Sequence, residues 1–157
     1  MTGERRLLRH ALATIAYRGG KAVRNAPPTF AAANTGEGSR TALELLAHLG
    51  DLFDWALTHA KGEPKWIEAT PLPWDQEVLR FHASLKRLDD FLASDAELRA
   101  PIERIFQGPV ADALTHVGQI AMMRRMAGAK ITGENYFVAD IETGRLGPDQ
   151  APGVREF

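Results

Sequence analysis

The sequence predicts an all-α fold, an antiparallel four-helix bundle with long loops and an irregular C-terminal tail. Three observations lead there. Four segments carry apolar residues at helical spacing, proline and glycine interrupt the chain between them, and capping residues stand at several of the ends. The 157 residues suit a single domain, with the bundle core over about 4–128 and the tail over 129–157. A chain of this length buries roughly two-thirds of the surface it exposes when unfolded, so it needs no covalent staple.

The first periodic segment runs from about Glu4 to Arg24, with Leu8, Leu12, Ile15 and Gly19 on one face, and stops before Pro27 and Pro28. Residues 29–40 show no period and read as a loop. Thr41 and Glu44 match a capping box, in which the hydroxyl accepts from an early backbone N–H and the carboxylate reaches back to the cap. Leu45, His48, Leu49, Leu52, Trp55 and Ala56 follow at helical spacing toward an end near Ala60. Past a loop through Trp66, Pro71 and Pro73, Asp75 reads as the N-cap of a third helix. Its apolar face is Val78, Phe81, His82, Leu85, Leu88 and Leu92. Ile102–Phe106 reads as one or two helical turns. Pro109 suits the first turn of the fourth helix, where its missing N–H costs nothing. Val110, Leu114, Val117 and Ala121 line that helix, and Gly128 is its C-terminal cap. Gly118 in its interior costs ~1 kcal/mol against alanine, which a close helix–helix approach would explain. In the tail, 135–138 reads as a short extended piece, and Glu134–Phe137 follow the bundle closely enough to fold over its mouth.

Composition excludes several functions. With 19 Lys+Arg against 20 Asp+Glu the formal net charge is -1, and no basic stripe stands out, which argues against nucleic acid and anionic membrane surfaces as partners. The absence of cysteine rules out disulfides, thiolate metal ligands and a cysteine nucleophile. No apolar run approaches the ~20 residues of a membrane span. His10, Arg18 and Lys21 interrupt the first apolar stretch, so no signal peptide is expected. A cytoplasmic protein is the expectation.

Among the five histidines, His48 and His116 sit in the second and fourth helices, and Asp112 precedes His116 by four residues. Side chains at i and i+4 share a helix face, so Asp112 and His116 aim an oxygen and an imidazole at one point. His48, from a facing helix, is the natural third ligand. Two imidazoles and a carboxylate suit zinc, nickel, iron(II) or manganese, and three protein ligands leave a position open. Gln119, one turn from His116, and His82, on an apolar face, are candidates for a supporting layer. A plain structural reading covers the same residues. Asp112 also suits the first turn of a helix, where negative charge is favoured, and His48 and His82 also suit core positions. His10 and His59 read as surface residues, Arg124 and Arg125 as a solvated helix end, and Trp55, Trp66 and Trp74 as cover for one end of the bundle.

The segment Leu45-Leu-Ala-His48-Leu-Gly-Asp-Leu52 resembles the second-helix motif of the DinB-like superfamily of four-helix bundles. Asp112-Ala-Leu-Thr-His116-Val-Gly-Gln119-Ile-Ala121 resembles its fourth-helix motif, His-x-x-x-His followed by a basic residue and Gly-Gln. The likeness spans roughly residues 4–128. It implies metal ligands at His48, His116 and, in place of the usual histidine, Asp112. Val117 stands where the pattern has a basic residue. The resemblance also implies thiol-dependent transferases and isomerases that use a low-molecular-weight thiol, such as mycothiol or bacillithiol, as cosubstrate. The expected protein is thus a divalent-metal-dependent enzyme of the transferase, isomerase or hydrolase kind, acting on a small-molecule substrate and forming a homodimer. The alternative is a non-enzymatic, dimeric binding or stress protein with a vestigial site.

Overall fold

Each of the four periodic segments is a helix in the computed structural model, which describes residues 1–157. They are α1 (Gly3–Val23), α2 (Ala42–Ala60), α3 (Trp74–Ala93) and α5 (Ala111–Met126), with a single-turn α4 (Ile102–Ile105) before the last. There is no strand, only an isolated bridge between Glu134 and Glu156. No helix is long and apolar enough to cross a membrane. Thr41 and Glu44 form both halves of the capping box that starts α2, and Thr2 caps α1 by accepting from Arg5.

Several boundaries differ from expectation for local reasons. Residues 28–32 form a 3-10 turn that buries Phe30 edge-on against Trp74. Asp75 is not a cap: α3 begins at Trp74 directly after Pro73, and Asp75 lies in the first turn, where its charge suits the helix dipole. Residues 136–138 are a 3-10 turn rather than an extended piece, because the Asn135 side chain accepts from the N–H of Phe137. Pro109 does not open the fourth helix. It lies inside a π turn, Phe106–Val110, through which α4 runs into α5, and the N–H of Ala111 reaches back five residues to the carbonyl of Phe106. Proline cannot donate, and the helix widens by a residue instead of ending.

The helices pack in a ring, α1 against α3, α3 against α2, α2 against α5 and α5 against α1. Their directions follow from paired residues. Arg9 meets Asp89 while Gly19 meets Phe81, so α1 and α3 are antiparallel. Asp51 meets Arg80 and Asp54 meets Arg87, so α2 and α3 run parallel. His48 lies by Asp112, and Leu45 shares a cavity with Met123, so α2 and α5 are antiparallel. Gly19 meets Val117 and the Ala22 carbonyl meets Arg124, so α5 rises with α1. The expected antiparallel arrangement is thus corrected: two of the four neighbouring pairs are parallel. The link 61–73 makes this feasible. Extended at ~3.3 Å per residue it can retrace all of α2, which rises only ~1.5 Å per residue. The N–H of Ala69 bonds Asp51 on the way back.

The core lies inside this ring. Leu12, Ile15, Leu46, Leu49, Phe53, Phe81, Leu85, Leu88 and Ile120 are fully buried, each contributing about 1.5–3 kcal/mol of apolar burial. Gly19 permits the α1–α3 approach, since a Cβ there would lie 2.6 Å from Phe81 Cζ. Gly118 has no such role: it is exposed, with open space where a Cβ would stand.

The tail packs on α1. The buried Glu134 carboxylate accepts from the Tyr17 hydroxyl at 2.7 Å and from Lys21 Nζ at 2.8 Å, and Lys21 also bonds Glu156. The phenol is pushed up by burial and by that acceptor, and the carboxylate is held down by its two donors against the cost of burial. Buried Arg124 donates to the carbonyls of Ala22, Arg24 and Ala129, joining the ends of α1 and α5. It is therefore a structural strut rather than part of a solvated helix end.

Candidate metal centre

The π turn sets the phase of α5, and the antiparallel packing of α2 and α5 brings His48 opposite the Asp112–His116 pair. One ligand atom from each of His48, Asp112 and His116 lies within 4.8 Å of the other two, so this group could hold a metal ion. Asp112 Oδ1 is 3.4 Å from His116 Nε2, and Oδ2 is 3.7 Å from His48 Nε2. The two imidazoles cross edge to face with centroids 4.9 Å apart. Ligands ~2.0–2.1 Å from a tetrahedral zinc-sized cation stand about 3.4 Å from one another. The two carboxylate–imidazole separations, one to each Asp112 oxygen, lie at and just above that spacing.

The surroundings give both imidazoles fixed directions. His116 Nδ1 is 2.7 Å from Gln119 Oε1. With the Nδ1 proton directed to Gln119, a neutral ring would leave its Nε2 toward Asp112 and His48, free for a cation. Gln119 was expected beside the site, and it acts there as an acceptor for His116. His48 has its pKa held below the ordinary value, first by burial, then by the charges of Arg40 and His116, against the opposing pull of Asp112. Both imidazole side chains are 13 % exposed, whereas Asp112 is 47 % exposed, so the carboxylate is the open side of the cluster. Asp112 does not serve a free helix N-terminus, because the right-handed helical backbone arrives unbroken from Ile102.

His82 does not support this cluster. It is buried between α3 and the tail, with Nδ1 2.7 Å from the carbonyl oxygen of Leu146 and its ring beside Gly20. The tail residues Glu134–Phe137 line neither of the cavities that adjoin the three ligands, so they do not shape the pocket. His10 is exposed beside Thr143, and His59 stands edge-on to Trp55.

Three contributors escape a reading of the sequence. Trp66 stands edge-on to His48 with centroids 5.6 Å apart and is itself braced perpendicular to Trp55, so Trp66 walls the site and Trp55 supports it from behind. Arg80 grips Asp51, Glu77 and the Ala47 carbonyl, fixing α2 on both sides of His48. Arg40, just before the capping box, is the single residue lining both flanking cavities: one of about 290 Å³ with His116 and Gln119, one of about 140 Å³ with His48. Arg80 and Trp66 meet their partners only in three dimensions, and Arg40 lies in a segment without a period. An apolar groove of about 580 Å³ between α1 and α4 holds none of the three ligands. No family model, no curated protein and no solved structure matches this chain.

Proposed function

We propose that His48, Asp112 and His116 hold one divalent cation, and that the chain is a metal-dependent enzyme of the DinB-like kind. The observation that carries this reading is the convergence of three ligand atoms, from two helices, at spacings suited to a single ion. The second- and fourth-helix motifs that resemble the DinB-like pattern are the segments that converge. Asp112 supplies the oxygen donor, so the centre is a two-histidine, one-carboxylate site suited to zinc, nickel, iron(II) or manganese.

A cation bound here would supply Lewis acidity, lowering the pKa of a thiol or water that reaches its open side. The residues of the chain do the rest. Gln119 holds the His116 ring in the ligating tautomer. Trp66 and Trp55 shield His48 from water on one flank. The exposed Asp112 edge leaves an approach for a substrate and a low-molecular-weight thiol. A transferase or isomerase uses the thiol; a hydrolase uses water.

One observation favours a second reading, a vestigial site in a binding protein. Asp112 stands between both imidazoles at ion-pair distance, so with a proton on the facing Nε2 atoms the cluster satisfies itself without an ion. Metal content decides between them. Protein purified without added metal should carry stoichiometric metal, and His48→Ala and His116→Ala should lose it. Equal trace metal in all three proteins would sink the enzyme reading. With metal present, a thiol-transfer screen against a water-only control separates transferase from hydrolase.

A further inference from the structure

Arg40 makes no hydrogen bond and no ion pair with the rest of the chain, although carboxylates lie close by. Glu44 Oε2 is held by the backbone N–H and hydroxyl of Thr41, and the carboxylate feels the Arg40 charge without pairing with it directly. Asp51 is occupied by Arg80 and the N–H of Ala69. Glu68 shares the smaller cavity with Arg40 but does not reach it within ion-pair distance. The guanidinium is near enough to His48 for its charge to act on that ring. It is the point where the two cavities beside the ligands meet.

We propose that Arg40 forms the anion-binding side of a substrate subsite next to the metal centre, and that this subsite takes a small organic carboxylate with an apolar body. The proposal rests on the metal reading and names the substrate class for that site. A guanidinium presents paired N–H donors that match the two oxygens of a carboxylate. A single guanidinium with no direct partner suits one carboxylate rather than a more highly charged anion. A dianionic phosphate would need further donors, but the N-terminus of α2 is already capped by Thr41 and Glu44, and Glu44 and Glu68 repel a dianion about twice as strongly as a monoanion. The larger cavity supplies the apolar part through Leu45, Met122 and Met123, with His116 and Gln119 on its wall. A carboxylate held by Arg40 therefore lays its apolar body along α5, beside the ligand cluster.

The test uses the 157-residue protein loaded with cobalt(II), whose visible absorption reports metal occupancy, while calorimetry reads ligand binding. Hexanoate is titrated, with hexanamide as the uncharged control and inorganic phosphate as the competing oxyanion. Hexanoate should bind saturably to the wild type, about tenfold or more weakly to Arg40→Ala, and with partial recovery in Arg40→Lys. Hexanamide should bind weakly to all three. Arg40→Ala should still take up cobalt, since Arg40 donates to none of the three ligands and its charge works against a cation beside His48, so hexanoate binding is compared on the cobalt-loaded form of each variant. Equal hexanoate binding by wild type and Arg40→Ala overturns the subsite, as does phosphate binding tighter than hexanoate. Wild-type protein that leaves cobalt as the aqueous ion overturns the metal reading itself, and with it the role given to Arg40.

Discussion

His116 Nδ1 and Gln119 Oε1 lie 2.7 Å apart, on the same face of α5, one turn from each other. With a proton on Nδ1 facing Gln119, Nε2 is the nitrogen left for a cation. Such outer partners of a ligating histidine are worth about 10–100-fold in metal affinity. Gln119→Ala should therefore weaken metal binding by about that factor. Gln119 is exposed and packs against nothing in the core, so thermal stability of the metal-free protein should stay within about 0.5 kcal/mol. A competition titration with a chromophoric chelator, paired with urea unfolding, reads both. An unchanged metal affinity would mean that His116 needs no help from Gln119.

Asp112 is the residue on which the identity of the ion turns. Carboxylate oxygen favours harder ions than imidazole does, and the resemblance places histidine at this position. Asp112→His should shift preference from manganese toward zinc by about tenfold or more, as expected when a third imidazole replaces a carboxylate. The side chain is about half exposed, so a ring can be accommodated without displacing the core. Paired zinc and manganese titrations of wild type and variant measure the shift. A ratio that does not move would remove Asp112 from the ligand set.

His82 predicts a pH dependence that is separate from the metal. Burial lowers its pKa below the ordinary value, against the opposing pull of its hydrogen bond to the Leu146 carbonyl. The unfolded chain therefore takes up a proton at this group at higher pH than the folded chain does. Stability is fully present above the unfolded value of about 6.5 and falls as pH drops from there toward the folded pKa. His48 slopes the same way, for the same first cause. Urea unfolding of metal-free protein at several pH values between about 8 and 5 should show the decline, and His82→Gln should flatten it. If the variant keeps the full wild-type slope, the proton uptake lies elsewhere.

The legibility of this protein follows the range of its interactions. Helices α1, α2, α3 and α5 are visible because apolar spacing is a local property, and the Thr41 capping box spans only four residues. The Asp112–His116 pair is visible for the same reason, and His48 because a histidine stands in a leucine-rich face. Helix direction is not visible: it depends on whether 61–73 turns or retraces α2, and extended chain of that length can do either. The π turn is hidden because proline suits a helix start and a widened turn through the same missing N–H. Arg80, 29 residues from Asp51, carries no local mark of its partner. His82 shares the helical spacing of core residues, and only its contact with Leu146 in the tail separates it from a residue that faces the site.

Gly118 lies two residues from His116, and glycine there invites a packing or functional explanation that its surroundings do not support. A Cβ at this position meets nothing within 4 Å, and φ is not in the left-handed region that favours glycine. Within a helix such a glycine costs stability chiefly through the freedom it gives the unfolded chain. Gly118→Ala should therefore stabilise the protein by about 0.5–1 kcal/mol, raising the urea midpoint without changing the slope of the transition. Metal affinity should be unaltered, because the added methyl points into open space and leaves the His116–Gln119 contact intact. A loss of stability would show that solvent is not what faces Gly118 in solution. A partner helix seated on that exposed face, as in the expected homodimer, would then be the first candidate, and the association state of wild type and Gly118→Ala by sedimentation would identify it.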